Sequence, residues 1–581
     1  MLSTLTKSHK VAALFLIVAL GLALRLRGLG RVGFNEDEVN KVVAARAYLH
    51  GDFSNNLEHP MLMKSMIAVS LAATDLWNRE FGGARPVPEE VAVRLPNVIF
   101  GALTAVVLFL LAQEFFGVEI GLLTAFLWSV GTIAIMDNRL AKEDTLLVFF
   151  TWLGYYFYLR AKRLAAAEPQ RAGKHYFASG SSFGLMLAAK YFPHYLGLNF
   201  LYYYLCGDKR VQPPRRRRET VLLFGACALL FVVFNPVILL PSTLKYMLHY
   251  AGGNAVTHHG YLMMGRFYYN DPTHLRGGMP IYFYPLLLVL KTPLPVIGAF
   301  LVGLIEVWRR RREPGPSFVL FMFLFWLVPF SLLGAKWLRW MLAWMPTVYI
   351  IAALGIAKIL SYSLGIHPQT VATRKIADCR LPIADWIRRV GKPCGAFNMP
   401  STIVNETFFQ SSIVNRQSSI LRALAGVLAA VFLLQPAWVS AKAGPYYSLY
   451  LNPMGHERVG YYFPHDEVND MGMREAMEEL AQAAPPDAFV GGETKPVFDY
   501  YAAKFGREDL HYFDLSDARQ RAEAPPSAYL VVQDGRKYFD NRIFLEKVES
   551  YQTPIEVVKV GGVAAVRVYR DEEFALLREV R

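Results

Sequence analysis

The stretch VAALFLIVALGLALRLRGLGRVGFNEDE, residues 11–38, sets an uncharged apolar run against an acidic cluster, with a short basic neck between them. About 20 apolar residues cross the hydrocarbon of a bilayer, and residues 11–26 read as a first span. Lys7 and Lys10 precede the run, Arg25, Arg27 and Arg31 follow it, and no small-residue cleavage site lies at its end. An uncleaved span fits this better than a signal peptide. Directly after it comes Phe34-Asn35-Glu36-Asp37-Glu38. Consecutive carboxylates beside a membrane are either a hydrophilic loop that keeps the segment ends in water, or an acid/base or metal-binding group at the surface.

The remainder of the chain extends the membrane reading. Of 581 residues, 54% are hydrophobic and only 19% charged, which excludes an ordinary soluble protein. The formal charge of +14 falls in short basic clumps between apolar runs, so it reports topology and not nucleic-acid binding. Cys206, Cys227, Cys379 and Cys394 show no metal-ligand spacing, and neither disulfides nor a zinc module are expected.

Spans are expected near 11–26, 96–113, 120–136, 145–160, 219–240, 281–305, 316–334, 340–361 and 421–440. Basic residues flank 176–205 on both sides (160–174 and 208–218), so an even number of crossings lies between them, giving about eleven in all. The basic clumps then lie in the cytoplasm. The outer side receives loops 27–95, 137–144 and 242–280, a break near 190–194, and everything after 441. Residues 1–361 form the expected catalytic membrane region. The segment 362–420, with its near-repeat of Ser, Ile, Val and Asn, reads as a low-complexity cytoplasmic insert, and 421–440 as the last span. From 441 to 581 the composition is that of a small extracytoplasmic α/β domain, with helices at 471–480 and 542–548 and strands at 489–490, 528–532, 555–560 and 563–568. It is expected to act as a cap or acceptor-binding module.

In the outer loops the order Asp37-Glu38, then Tyr48-Leu49-His50-Gly51-Asp52, then His59-Pro60-Met61-Leu62-Met63-Lys64 resembles the Asp-Glu and His-Pro-Pro-Leu-Gly-Lys pattern of protein O-mannosyltransferases and their bacterial relatives, the aminoarabinose transferases included. These are GT-C superfamily glycosyltransferases of family 39. The turn Asn138-Arg139-Leu140-Ala141-Lys142-Glu143-Asp144 and the segment Lys291-Thr292-Pro293-Leu294-Pro295 resemble further motifs of that family. Met61 and Met63 depart from its Pro and Gly, and loop 242–280 is too short for the sugar-binding module of the eukaryotic members.

The resemblance implies a GT-C fold in a mostly α, polytopic protein of the inner (plasma) membrane, its C-terminal domain periplasmic. It implies inverting transfer of a sugar from a polyprenyl-phosphate donor to a protein or glycolipid hydroxyl outside the cytoplasm. Asp37 would be the base, Glu38 would position the acceptor or a metal, and Arg139 would grip the donor phosphate. Lys190 is either a second phosphate ligand or a snorkelling lysine, and Arg339 either a phosphate ligand or an interfacial anchor. Glu58, His59, Lys64, Asp144, His258 and His259 are further candidates on the same side. A divalent metal held among Asp37, Glu38, Glu58 and Asp144 stays open. The alternative reading is a lipid-linked-sugar flippase or transporter, against which stand the lack of a repeat between the two halves and the gathering of ionisable residues at one face.

Overall fold

The computed structural model describes residues 6–83, 85–191, 216–251, 260–364, 411–525 and 527–571. The membrane region is helical. In order it comprises α1 (Lys7–Leu26), α2 (Glu36–Leu49), α3 (Met61–Phe81), α4 (Glu89–Phe116), α5 (Val118–Val130), α6 (Thr132–Asn138), α7 (Asp144–Ala167), α8 (Pro169–Ala189), α9 (Arg217–Phe234) and α10 (Pro241–Ala251). A small antiparallel hairpin follows, β1 (Gly260–Met263) and β2 (Arg266–Tyr269), in which Gly260 faces Tyr269. Then come α11 (Phe283–Lys291), α12 (Leu294–Arg309), α13 (Pro314–Leu332), α14 (Met345–Ser363) and α15 (Ser411–Ala443).

Among the described residues, α1, α4, α13, α14 and the part of α15 from Leu421 are long and apolar enough to cross a membrane, and α5 with α6, bent by 59°, makes a sixth candidate. The chain is thus a multi-pass membrane protein, but the expected eleven crossings are not all matched. The span expected at 281–305 is two helices, because Pro293 cannot continue α11 and instead sits at the N-cap of α12. Helix α9 opens on Arg217, Arg218 and Glu219, which shortens its apolar length. The first half of 176–205 is α8, ending at Ala189 beside the expected break; residues 192–215 lie outside those described.

Two further expectations change. Outer loop 27–95 is largely helical: α2 and α3 fold within it, and α4 starts at Glu89 with Pro96 inside. In the insert, 365–410 lies outside the described residues, while 411–420 is already the first part of α15.

The C-terminal domain holds α16 (Met473–Ala483), β3 (Phe489–Gly492), α17 (Lys495–Lys504), β4 (His511–Asp514), α18 (Ala518–Glu523), β5 (Tyr529–Gln533), α19 (Arg542–Tyr551), β6 (Glu556–Val560) and β7 (Val563–Arg570). Its mixed sheet has the order β4-β3-β5-β7-β6; β3 is parallel to β4 and β5, and β7 antiparallel to β5 and β6. The expected strands and helices are present, and α17, β4 and α18 join them. Gly561 and Gly562, at φ +58° and +86°, supply the left-handed backbone that the two-residue turn between β6 and β7 needs.

Candidate active site

The acidic stretch is the beginning of α2. Asn35 caps the helix by accepting from Glu38 N at 3.0 Å, while Glu38 Oε2 accepts from Asn35 N at 3.2 Å. Glu38 faces inward with no exposed surface. Arg94 of α4 meets it with two hydrogen bonds, Nε to Oε1 at 2.8 Å and Nη2 to Oε2 at 2.7 Å, and Ala141 N donates to Oε1 at 2.9 Å. Arg94 also donates to the carbonyls of Leu29, Val32 and Gly33. Every lone-pair direction of Glu38 is therefore engaged by protein, and the expected role in holding acceptor or metal does not fit. It fastens the start of α2 to α4 and to the turn before α7.

Asp37 points the other way. Its carboxylate receives Lys142 Nζ at 2.6 Å and Arg339 Nη1 at 2.8 Å, yet the side chain keeps 38% exposure. Burial alone would raise its pKa, but Lys142, Arg339 and Lys41 outweigh that and hold the carboxyl well below the usual range. Its place in the first turn of a helix adds to the stabilisation of the anion.

One helical turn on, Lys41 pairs with Glu143 at 3.1 Å, and His59 Nδ1 lies 3.7 Å from the same carboxylate. Burial would push Glu143 up, but His59, Lys41 and Lys190 bring it down to about 2. His59 is held below its ordinary value, chiefly by burial. Lys190, in the extended residue that ends α8, pairs with Asp144 at 2.7 Å. The result is a continuous band of alternating charge, built from α2, the α3 entry, the α6–α7 turn, the end of α8 and the short helix carrying Arg339.

Other candidates fall outside this band. Arg139 donates to the carbonyls of Arg25 and Arg27, both at 2.7 Å, and of Gly28 at 3.1 Å, and lies over the Tyr447 ring. The first two lie at the C-terminal end of α1, and the Gly28 carbonyl also accepts from Arg31 N, so Arg139 is engaged in capping that helix end. Lys64 donates to the carbonyls of Asn55, Asn56 and His59, closing the loop before α3, and burial lowers it to about 8. Glu58 accepts from Asn56 within that loop. His258 and His259 lie outside the described residues. No three His, Cys, Asp or Glu among the described residues are grouped to hold a metal ion: Asp37, Glu38 and Asp144 each face cations, and Glu58 turns into its own loop.

Sequence reading did not assign Lys41, Lys142 or Glu143, although the last two stand in the quoted turn. It also assigned none of the C-terminal residues that meet the acidic stretch. Phe34 N donates to Tyr501 Oη at 2.7 Å, and Glu36 N to Asp470 Oδ2 at 2.9 Å. Arg536 joins Glu36 at 3.0 Å to Asp470 at 2.7 Å. Asp466 accepts from Leu338 N at 3.1 Å, one residue from Arg339, and Glu467 pairs with the buried Lys291 at 2.6 Å. Burial pushes Asp466 up to about 6, against the pull of Leu338 N, Arg339 and Lys142. The domain thus braces the segments that carry the candidate residues.

Residues 87–239 match the family model described as dolichyl-phosphate-mannose-protein mannosyltransferase. In three dimensions the chain is similar to ArnT from Cupriavidus metallidurans in the apo state, at 15% identity over 95% of this chain and 97% of that one, with a TM-score of 0.49. ArnT bound to undecaprenyl phosphate gives 15% identity, 97% coverage of both chains and a TM-score of 0.45. The apo oligosaccharyltransferase of Archaeoglobus fulgidus gives 10% identity over 91% of this chain and 70% of that one, with a TM-score of 0.50. No curated protein matches in sequence. The last likeness shows a shared architecture, the GT-C fold expected from the outer-loop motifs.

Proposed function

We propose that this chain, a membrane glycosyltransferase of the GT-C superfamily using a lipid-linked sugar, moves that sugar with inversion from a polyprenyl phosphate to a hydroxyl of a protein or glycolipid outside the cytoplasm. The observation that carries the reading is Asp37, an ionised, solvent-reachable carboxylate held between Lys142 and Arg339. A base and cations side by side are what displacement at an anomeric carbon uses.

In the proposed step the acceptor hydroxyl gives its proton to Asp37 as its oxygen bonds to the anomeric carbon. The bond from that carbon to the phosphate oxygen breaks, and the electron pair leaves with the phosphate. Lys142 and Arg339 hold Asp37 strongly in the free protein, which makes it a poor base. When the donor phosphate engages those cations, their pull on Asp37 weakens and its basicity rises at the moment the acceptor needs it. Lys190, 2.7 Å from Asp144 at the break after α8, is the further phosphate ligand of this proposal. Basic clumps on the opposite side of the membrane support an outward, periplasmic site in an inner membrane.

The test is transfer of labelled sugar from a panel of polyprenyl-phosphate sugars in nanodiscs, following release of polyprenyl phosphate with and without a chelator. Turnover by wild type and its loss in Asp37→Asn, with donor still bound, is the expected result. Normal turnover in Asp37→Asn removes the base assignment, and a panel of inert donors turns attention to lipid-sugar transport.

A further inference from the structure

Away from the band of charge, a cavity of about 520 Å³ lies where β7 and α19 of the C-terminal domain meet β1 and the segment 459–468. Its size falls in the range of about 300–1,000 Å³ usual for small-molecule sites. Leu262, Val459, Pro464 and Val468 form an apolar wall. Opposite stands a closed ring of charge. Arg567 Nη1 is 2.5 Å from Asp534 and 3.8 Å from Glu549, and Lys537 Nζ is 2.7 Å from Glu549 and 3.5 Å from Asp534. All four side chains keep between 21% and 29% exposure, so the ring offers fixed donors and acceptors with no net charge.

We infer that this cavity binds an uncharged sugar ring. Its hydroxyls donate to Asp534 and Glu549 and accept from Lys537 and Arg567, while its C–H face lies on Val459 and Pro464. A ring with zero net charge gives neither an anion nor a cation an advantage, and an apolar wall facing a polar one suits a ligand with the same two faces. One segment links the cavity to the reaction site. Gly460, in its lining, donates to Glu467 at 2.6 Å, and Asp466 of the same segment accepts from Leu338 beside Arg339. Assigning the bound sugar to the acceptor rests on the transferase reading above; the binding itself does not.

The experiment is saturation-transfer NMR on the full chain in nanodiscs with methyl α-mannoside and methyl β-galactoside, and with glucuronate and glycylglycine as charged probes. Arg567→Met and Val459→Gln are compared with wild type. A neutral glycoside binds wild type, and its affinity falls about tenfold, or 1.4 kcal/mol, in Arg567→Met. Val459→Gln, which breaks no ion pair but makes the apolar wall polar, weakens binding as well and keeps the test usable if Arg567→Met does not fold. Release of polyprenyl phosphate is unchanged in both variants only when the acceptor is saturating. The inference is overturned if no neutral glycoside binds wild type, if the variants that fold bind as well as wild type, or if only the charged probes bind. Inert donors with intact glycoside binding would sink the transferase reading alone, and active donors without glycoside binding would sink this inference alone.

Discussion

Neighbouring acids on α2 should fail in opposite ways when neutralised. Glu38→Gln removes the charge from a carboxylate with no exposure, leaving Arg94, only 3% exposed, without its counter-ion. Breaking one side of a buried pair costs about 3–5 kcal/mol. Arg94 retains three carbonyl acceptors, which places the expected cost at the lower end, about 3 kcal/mol. In a thermal melt in detergent this is a fall on the order of 2–3 °C for a chain of this length. Asp37→Asn touches a side chain 38% exposed, whose pairing contributes about 0–1 kcal/mol, so its melting temperature should hardly move. Turnover should behave inversely: Asp37→Asn loses about 10²–10⁴ in rate, whereas Glu38→Gln, assayed below its melting temperature, keeps most of its activity. The two measurements are differential scanning fluorimetry and single-turnover sugar transfer on the same preparations. A Glu38→Gln protein that melts like wild type but cannot turn over would refute the division of labour between the two acids.

Arg139→Ala should lower the melting temperature while leaving the KM for donor unchanged, because its partners are helix-end carbonyls; a raised KM would return it to the phosphate site. Lys190→Met should raise the donor KM more than it lowers kcat, read from initial rates across donor concentrations. Asp466 has its pKa raised to about 6, so the folded state prefers it protonated. Its contribution to stability is present at low pH and lost as pH rises from about 4 to about 6, and melts of Asp466→Asn against wild type should diverge across that window. Glu143 is lowered to about 2, so its contribution is present at neutral pH and lost as pH falls from about 4 towards 2; Glu143→Gln should flatten the acid limb of the stability curve.

The parts of this fold legible in the sequence are those governed by local rules. Alternation on either side of Gly561-Gly562 marks β6 and β7, and the apolar lengths mark α1, α13 and α14. The capping signature Asn35-x-x-Glu38 was also on view, and it announces a helix where an outer loop was expected. What stayed hidden depends on partners distant in the chain. Glu38 reads as chemistry until Arg94 is found against it, and Arg139 reads as a phosphate ligand until the carbonyls at the end of α1 are seen to take it. Nothing local tells Asp37, which faces Lys142 and Arg339 in the open, from Glu38, the buried residue that follows it. Strand β4, with four residues at a sheet edge, is too short to show a period.

Some of the contacts at the beginning of α2 come from the far end of the polypeptide: Glu36 N donates to Asp470, 434 residues later, and Phe34 N to Tyr501. At about 5–20 residues per second, a ribosome needs some tens of seconds to cover that distance. Throughout that interval Glu38 can already hold Arg94 and Asp37 can hold Lys142 and Arg339, while Phe34 and Glu36 still wait for their partners. The entry to α2 is thus completed only by the last stretch of synthesis.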